Sequence, residues 1–302
     1  MKLLRHEAED GPSVLLFGLG LIGGAVDRAL RLRCGAGAMH FPYDWRDGPL
    51  RVAQRQAILA ALPPADRVAV VWTGGQSGFA STDADMARET ALVAELVAMA
   101  EGLAQAGRQV DFHLMSSAGG LFESQTQCTA ASRPHPLRPY GEGKCRQEEI
   151  LARAIGLGRR CVYRPSSVYG VTRSRRVGLV TALISNAVRG GTTRIFGNPH
   201  TLRDYVLADD IGRYMAGRIL EPGGAGPVET MLLASGRAAS VFEVIERIRE
   251  RMDRPLLLQF DPHPSNVRDM SFLPSALPAD WQATSLVSGI AGIAIFFRSG
   301  SA

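Results

Sequence analysis

The chain has 302 residues, 46% of them hydrophobic and 21% charged, which excludes a disordered or fibrous polymer and supplies a sizeable apolar core. Its 34 Lys and Arg against 29 Asp and Glu leave a formal charge of +5, an excess that suits an anionic small molecule as well as a nucleic acid and decides neither. Four cysteines (Cys34, Cys128, Cys145, Cys161) without a C-x-x-C pair, and six histidines without close pairing, argue against a structural zinc site, any other metal and a disulfide framework.

Residues 1–11 read as a polar segment without the apolar stretch of a secretory signal. The first predicted element is the buried strand Ser13-Val-Leu-Leu-Phe17, which runs into Gly18-Leu-Gly20-Leu-Ile-Gly23 and then into a helical pattern from Ala25. A second strand is predicted over residues 38–43, ending at Asp44-Trp-Arg46, and a third at Arg67-Val-Ala-Val-Val-Trp72. A long helix over 86–106, a strand from Gln109 to Met115, a helix over 140–154 and a strand from Arg160 to Arg164 follow. This alternation predicts an α/β fold with a parallel, doubly wound, Rossmann-like sheet. The division expected is a nucleotide-binding domain over 12–172 and a smaller C-terminal lobe over 173–302, with a strand near 227–234 returning to the main sheet. The late apolar run over 286–297 contains Ser288, Gly289 and Gly292 and is too short to span a bilayer, so a cytoplasmic protein without a membrane partner is expected.

A G-x-G-x-x-G between a strand and a helix serves a definite purpose. Its glycines allow a tight turn and let the backbone approach a pyrophosphate, whose charge sits at the helix N-terminus. Gly18, Gly20 and Gly23 hold those places, with Leu21 and Ile22 between them. The residue that reads the adenosine ribose belongs at the end of the second strand. Asp44 there would favour NAD, while Arg46 could hold the 2′-phosphate of NADP; both forms stay open, with NAD ahead.

Tyr140-Gly-Glu-Gly-Lys144 places a phenol and an ammonium four residues apart, on one helix face, where a nearby cation favours the phenolate form of a general base. Ser116-Ser117 follows the strand upstream, and Arg164-Pro-Ser-Ser-Val-Tyr-Gly170 follows the strand downstream. His113 in a predicted buried strand reads as a core residue. Cys145, on another helix face from Lys144, is not expected to act as a nucleophile. The basic cluster Arg173-Ser-Arg175-Arg176 lacks the interleaved aromatics of a nucleic-acid surface, so no nucleic-acid partner is expected.

The glycine turn, Ser-Ser, Tyr-x-x-x-Lys and Arg-Pro-x-x-Val-Tyr-Gly, in this order, resemble the extended short-chain dehydrogenase/reductase family, within it the nucleotide-sugar epimerase/dehydratase group. Arg203-Asp-Tyr-Val206 followed by Asp209-Asp210, and the terminal Ser285-Leu-Val-Ser-Gly-Ile290, extend the resemblance. It implies that Tyr140 is the acid/base, that Lys144 supports it and holds the nicotinamide ribose, and that a serine of Ser116-Ser117, with Ser117 ahead, hydrogen-bonds the reacting oxygen. It further implies that Thr73, Gly74, Ser116, Pro165 and Val168 line the cofactor and that Arg203 grips the substrate diphosphate; His200, three residues before Arg203, is a further substrate candidate, and His263 stands in place of the family's late substrate-binding arginine. A homodimer through the helices over 86–106 and 140–154 is also implied.

Three further departures stand out. Leu16-Phe17-Gly18 replaces the family's Thr-Gly opening of the turn, Ala118 stands where many epimerases carry Ser or Thr, and no Asp-Glu pair for dehydration follows Ser117. The expected activity is therefore an NAD(P)-dependent epimerase of a nucleotide-linked sugar acting through a keto intermediate. The alternatives are an NADPH-dependent ketoreductase of a nucleotide-linked keto sugar and a non-catalytic NAD(P)-binding regulator.

Overall fold

The computed structural model describes residues 1–5, 11–35, 37–63, 67–172, 178–262 and 268–299. The Arg173–Arg176 cluster and His263 lie outside the described residues. Two compact units interleave along the chain: residues 1–116, 138–164 and 212–231 form the first, and residues 117–137, 165–211 and 232–302 the second.

The first unit is built on a seven-stranded sheet. Strands β1 (Lys2–Arg5), β2 (Ser13–Phe17), β3 (Gly37–His40), β4 (Arg67–Trp72), β5 (Gln109–Met115), β6 (Arg160–Pro165) and β10 (Glu229–Leu233) lie in the order β10-β6-β5-β4-β2-β1-β3. The pairs β2–β4, β4–β5 and β5–β6 are parallel, and β2 and β4 are apolar on both faces, as strands covered on both sides must be. The returning strand predicted near 227–234 is β10, next to β6.

One part of the sequence expectation needs correction. The amino-terminal segment is not merely polar: β1 inserts between β2 and β3 and pairs antiparallel with both. Leu3 and Leu4 bury fully, and Lys2 enters the sheet because Asp27 meets its ammonium at 2.5 Å. Burial of that cation depends on its partner. Four residues are too few for a period to show, which is why the strand escaped notice.

The unit also contains helices α1 (Leu21–Cys34), α2 (Gly48–Ala60), α3 (Asp83–Gln105), α5 (Pro139–Arg153) and, from Gly212 on, most of α7 (Ala208–Leu220). Helix α2, which the sequence reading passed over, is announced by Asp47 capping the Leu50 amide and by Pro49 in its first turn. Helix α3 starts three residues before the predicted boundary because Thr82 and Asp85 form a reciprocal capping box. Where α3 and α5 pack, a methyl on Gly143 would lie 2.3 Å from Met86 Cε and 3.0 Å from its Cβ, so the bare glycine lets α5 sit close against the Met86 side chain.

The second unit carries a three-stranded sheet, β11 (Ala238–Ser240), β9 (Leu202–Leu207) and β7 (Ser167–Tyr169), and the parallel pair β8 (Thr192–Phe196) and β12 (Leu257–Asp261). Helices α6 (Leu179–Arg189), α8 (Val241–Arg249) and α9 (Leu286–Arg298) enclose its core through Leu183, Ile184, Val244, Ile248 and Ile290. Helix α4 (Ala118–Leu121) is a single turn, and α7 (Ala208–Leu220) follows β9 directly. Among the described residues no helix is long and apolar enough to cross a membrane.

Candidate active site

Strand β2 ends at Phe17 and the chain turns at Gly18, whose φ of +94° belongs to the region that glycine alone enters cheaply. A methyl on Gly18 would lie 2.4 Å from the Gly74 backbone, and one on Gly23 1.8 Å from the Gly18 carbonyl. Gly20, the N-cap of α1, has nothing within 4 Å of a methyl position and offers no capping side chain. The turn is thus packed from behind at Gly18 and Gly23 and open at Gly20. In front lie the first amides of α1, from Leu21 and Ile22, which a helix leaves without internal partners. This cradle of backbone donors fits a dinucleotide pyrophosphate. Thr73 fixes it to the next strand: its hydroxyl donates to the Gly18 carbonyl at 2.7 Å and its amide to the Phe17 carbonyl at 2.8 Å.

The ribose-reading position needs a second correction. Strand β3 ends at His40, short of the predicted residue 43, so Asp44 sits in a loop beyond the strand. The loop is nonetheless fixed. The Asp44 amide donates to Gln54 Oε1, and Asp44 Oδ1 accepts the amides of Arg46 and Asp47 at 2.7 and 2.8 Å. These amide bonds, Asp47's first, hold the carboxyl below the usual range. Arg46 is exposed. An edge-to-face run of rings, Phe17–Tyr43–Trp45–Trp72, with centroids 5.1, 5.1 and 5.6 Å apart, ties this loop to β2 and β4.

Helix α5 carries Tyr140 in its first turn and Lys144 one turn on. The Lys144 ammonium lies 5.8 Å from the centroid of the Tyr140 ring, so the two share a face as their spacing predicts. The ring of Phe79 stands edge-on to Tyr140 at 5.9 Å, and the Arg138 guanidinium lies over Phe79 at 5.4 Å. Lys144 itself is only 4% exposed. Its ammonium bonds Glu89 Oε1 at 2.9 Å and Gln147 Oε1 at 3.0 Å. Burial pushes the Glu89 carboxyl up, but the Lys144 charge and the bonds from Lys144, Ser77 and Gln147 more than reverse that. Burial likewise pushes Lys144 down, and the charges of Glu89 and then Tyr140 bring it above its ordinary value.

The two serines have different surroundings. Ser116 is buried and donates to Glu148 Oε1 at 2.5 Å, and Glu148 is held by a bidentate pair with Arg164. Ser117 caps α4 by accepting the Gly120 amide at 3.1 Å, which leaves its own hydroxyl proton to donate elsewhere. Ala118 is fully buried.

In the second unit, Pro165 begins the Pro-Ser-Ser-Val-Tyr-Gly segment and Val168 lies in β7, paired with Val206 of β9. Arg203 in β9 is 8% exposed and donates to the carbonyls of Leu202 (2.8 Å) and Arg268. Its neighbour Asp204 is fully buried and accepts the Ser235 amide at 2.7 Å; burial pushes its carboxyl up. His200 is exposed and packs its ring edge-on to Phe242 at 4.9 Å.

Sequence reasoning missed Glu89, Gln147, Glu148 and Phe79. Glu89 had a signal: it shares a register with Met86, Val93, Leu96 and Ala100, all of them buried. A carboxylate on an apolar stripe requires a buried partner. His113 is in the core as expected, with Nδ1 at 2.9 Å from the Tyr163 hydroxyl.

A glycine turn on a doubly wound sheet and a Tyr-x-x-x-Lys helix in the same unit define an NAD(P)-dependent enzyme of the extended short-chain dehydrogenase/reductase type. Residues 52–226 match the model of the NAD dependent epimerase/dehydratase family, and the chain belongs to that family. It is 28% identical over 223 residues to a UDP-glucose 4-epimerase of Mycolicibacterium smegmatis, covering 70% of each protein. Among solved structures it is similar to a Thermus thermophilus UDP-glucose 4-epimerase in complex with NAD, with a TM-score of 0.74, 18% identity and coverage of 94% and 98%. It is also similar to the Pseudomonas aeruginosa protein RMD complexed with NADPH, with a TM-score of 0.70, 21% identity and coverage of 95% and 99%.

Proposed function

We propose that the protein epimerises a nucleotide-linked sugar, with the first unit binding NAD(P) and the second the sugar nucleotide. What carries this reading is the pairing of Tyr140 and Lys144 on one face of α5 with the Gly18–Gly23 turn. When bound, the oxidised nicotinamide would accept a hydride from the sugar and return it.

The chain's own residues then have distinct tasks. Gly18, Gly20, Leu21, Ile22 and Gly23 hold the pyrophosphate, Asp44 the adenosine ribose, and Thr73 and Gly74 keep the turn in shape. Tyr140 takes the proton of the reacting sugar hydroxyl and returns it after the keto sugar has presented its other face. Ser117, whose hydroxyl proton is available, steadies that oxygen in place of the missing hydroxyl at Ala118. Arg203 grips the diphosphate. Because Arg203 also binds two backbone carbonyls, Arg203→Lys tests grip and fold together, and affinity has to be read beside melting temperature. UDP-linked hexoses come first among substrates to assay, since the M. smegmatis relative is a UDP-glucose 4-epimerase.

Tyr140→Phe removes one hydroxyl and leaves the ring packed on Phe79. The expected result is a folded, cofactor-binding protein whose kcat falls by roughly 10²–10⁴. A near-normal kcat removes Tyr140 from the mechanism. Net consumption of NADPH by the wild type, in place of interconversion without net redox change, gives the site to a ketoreductase.

We also read the outward face of α3, where Ala84, Ala87, Ala91, Ala98 and Gly102 are exposed, as the homodimer surface. Small side chains there let a second copy approach closely, whereas the exposed face of α5 carries Glu142–Arg146 and Glu149–Arg153 pairs.

A further inference from the structure

Glu89 stands between two parts of the candidate site. Its Oε1 receives the Lys144 ammonium at 2.9 Å and the Gln147 side-chain amide at 3.3 Å, while its Oε2 receives the Ser77 backbone amide at 3.2 Å. A methyl placed on Gly75 would lie 2.7–2.8 Å from the carboxylate, and Gly75 takes a φ of +118°. The turn after β4 therefore wraps the carboxylate closely enough that no side chain fits at that position. Glu89 is 5% exposed, Lys144 4% and Gln147 not at all.

An ammonium has three N–H donors. Glu89 and Gln147 engage two of those of Lys144, so the direction of the third is set by the pair that holds it. A fully buried cation keeps its proton only with a counter-charge, and Glu89 is the one bonded to it. Among the described residues, the other titratable groups acting on Lys144 are Tyr140 and Glu148 on α5. Glu148 is neutralised by Arg164 of β6, and Arg138 faces the site across Phe79.

We infer that Glu89 is the positioning residue of this site: it fixes the Lys144 ammonium and the Gly75–Ser77 turn together and is the buried counter-charge of that ammonium. The inference rests on the proposed role of Lys144 at the nicotinamide ribose and adds to it a residue on a different helix.

The test is NAD binding by calorimetry between pH 6 and 10, on wild type, Glu89→Gln and Lys144→Met, with melting temperature at each pH. The neutral amide of Glu89→Gln no longer offsets the cost of burying the Lys144 charge. Its NAD affinity should therefore match wild type near pH 6 within a few-fold, then fall at a pH about one unit or more below any fall in wild type. Lys144→Met, with no ammonium to titrate, should bind more weakly and show no such fall. The alkaline limb of kcat/KM should move with the binding curve, which a purely structural role would leave in place.

Superimposable pH curves for wild type and Glu89→Gln overturn the inference. Failure of the wild type to bind NAD or NADP at all overturns the reading of the site itself. Should Glu89→Gln not fold, Glu89→Gln/Lys144→Met removes the uncompensated charge and is expected to fold again. A double variant as unstable as the single one shows that Glu89 serves something other than Lys144.

Discussion

At Gly20 an added methyl meets open space, whereas at Gly23 it would stand 1.8 Å from the Gly18 carbonyl. The same substitution in one turn should thus have two different effects. Gly20→Ala is expected to leave the melting temperature within about a degree or two and to weaken NAD binding, because the added carbon enters the space in front of the α1 amides. Gly23→Ala is expected to lower the melting temperature as well, since backbone must shift to admit it. Calorimetry and thermal melting of the two variants check this; full NAD affinity in a stable Gly20→Ala protein would place the pyrophosphate elsewhere. The glycine, tyrosine and lysine positions were legible because their spacing alone implies a turn and a shared helix face. For Glu89 only its place on the apolar stripe of α3 was legible; its partner, 55 residues away, was not. Nor did the sequence show that Asp44 lies beyond the end of β3, for strand ends depend on pairing with β1.

The sheet strands show the same division between what local pattern determines and what the fold adds. Apolar runs made β2, β4, β5 and β6 readable, and their alternation with helices implied the parallel order observed. The insertion of β1 between β2 and β3 could not be inferred, because it depends on the long-range Lys2–Asp27 pair and on a strand of four residues. Strand β5 carries a further consequence in His113. Burial first, then the positive charges of Arg159, Arg67 and Arg218, lower its proton affinity to a pKa of about 3. In the unfolded chain an ordinary histidine takes up its proton near 6.5. The unfolded state therefore binds one more proton between these values, and stability is fully present above about pH 6.5 and drains away as pH falls towards 3. The contribution of one proton is about 1.4 kcal/mol per pH unit across that window. Urea unfolding at pH 6.5, 5.5 and 4.5 should show a shallower loss in His113→Gln than in wild type; equal slopes would mean that the ring takes up its proton as readily in the fold as in the unfolded chain.

For the whole molecule, the exposed alanine stripe on α3 sets an expectation about assembly. Light scattering at high micromolar concentration should report a dimer, and Ala91→Arg, which adds a charge to the middle of that stripe, should shift it to monomer without lowering the melting temperature. A wild-type monomer at that concentration would leave α3 facing solvent. The ring ladder has an optical consequence. Three tryptophans occur in the chain; Trp281 belongs to the second unit, where its indole N–H is bonded to the Ala234 carbonyl. The other two, Trp45 and Trp72, flank Gly74, with a methyl position on that glycine 3.4 and 3.1 Å from their rings. Gly74 in turn packs against Gly18. Two of the three indole fluorophores thus border the dinucleotide turn, so their emission is a label-free reporter of its occupancy, and Trp45→Phe separates the loop's signal from that of the sheet beneath it.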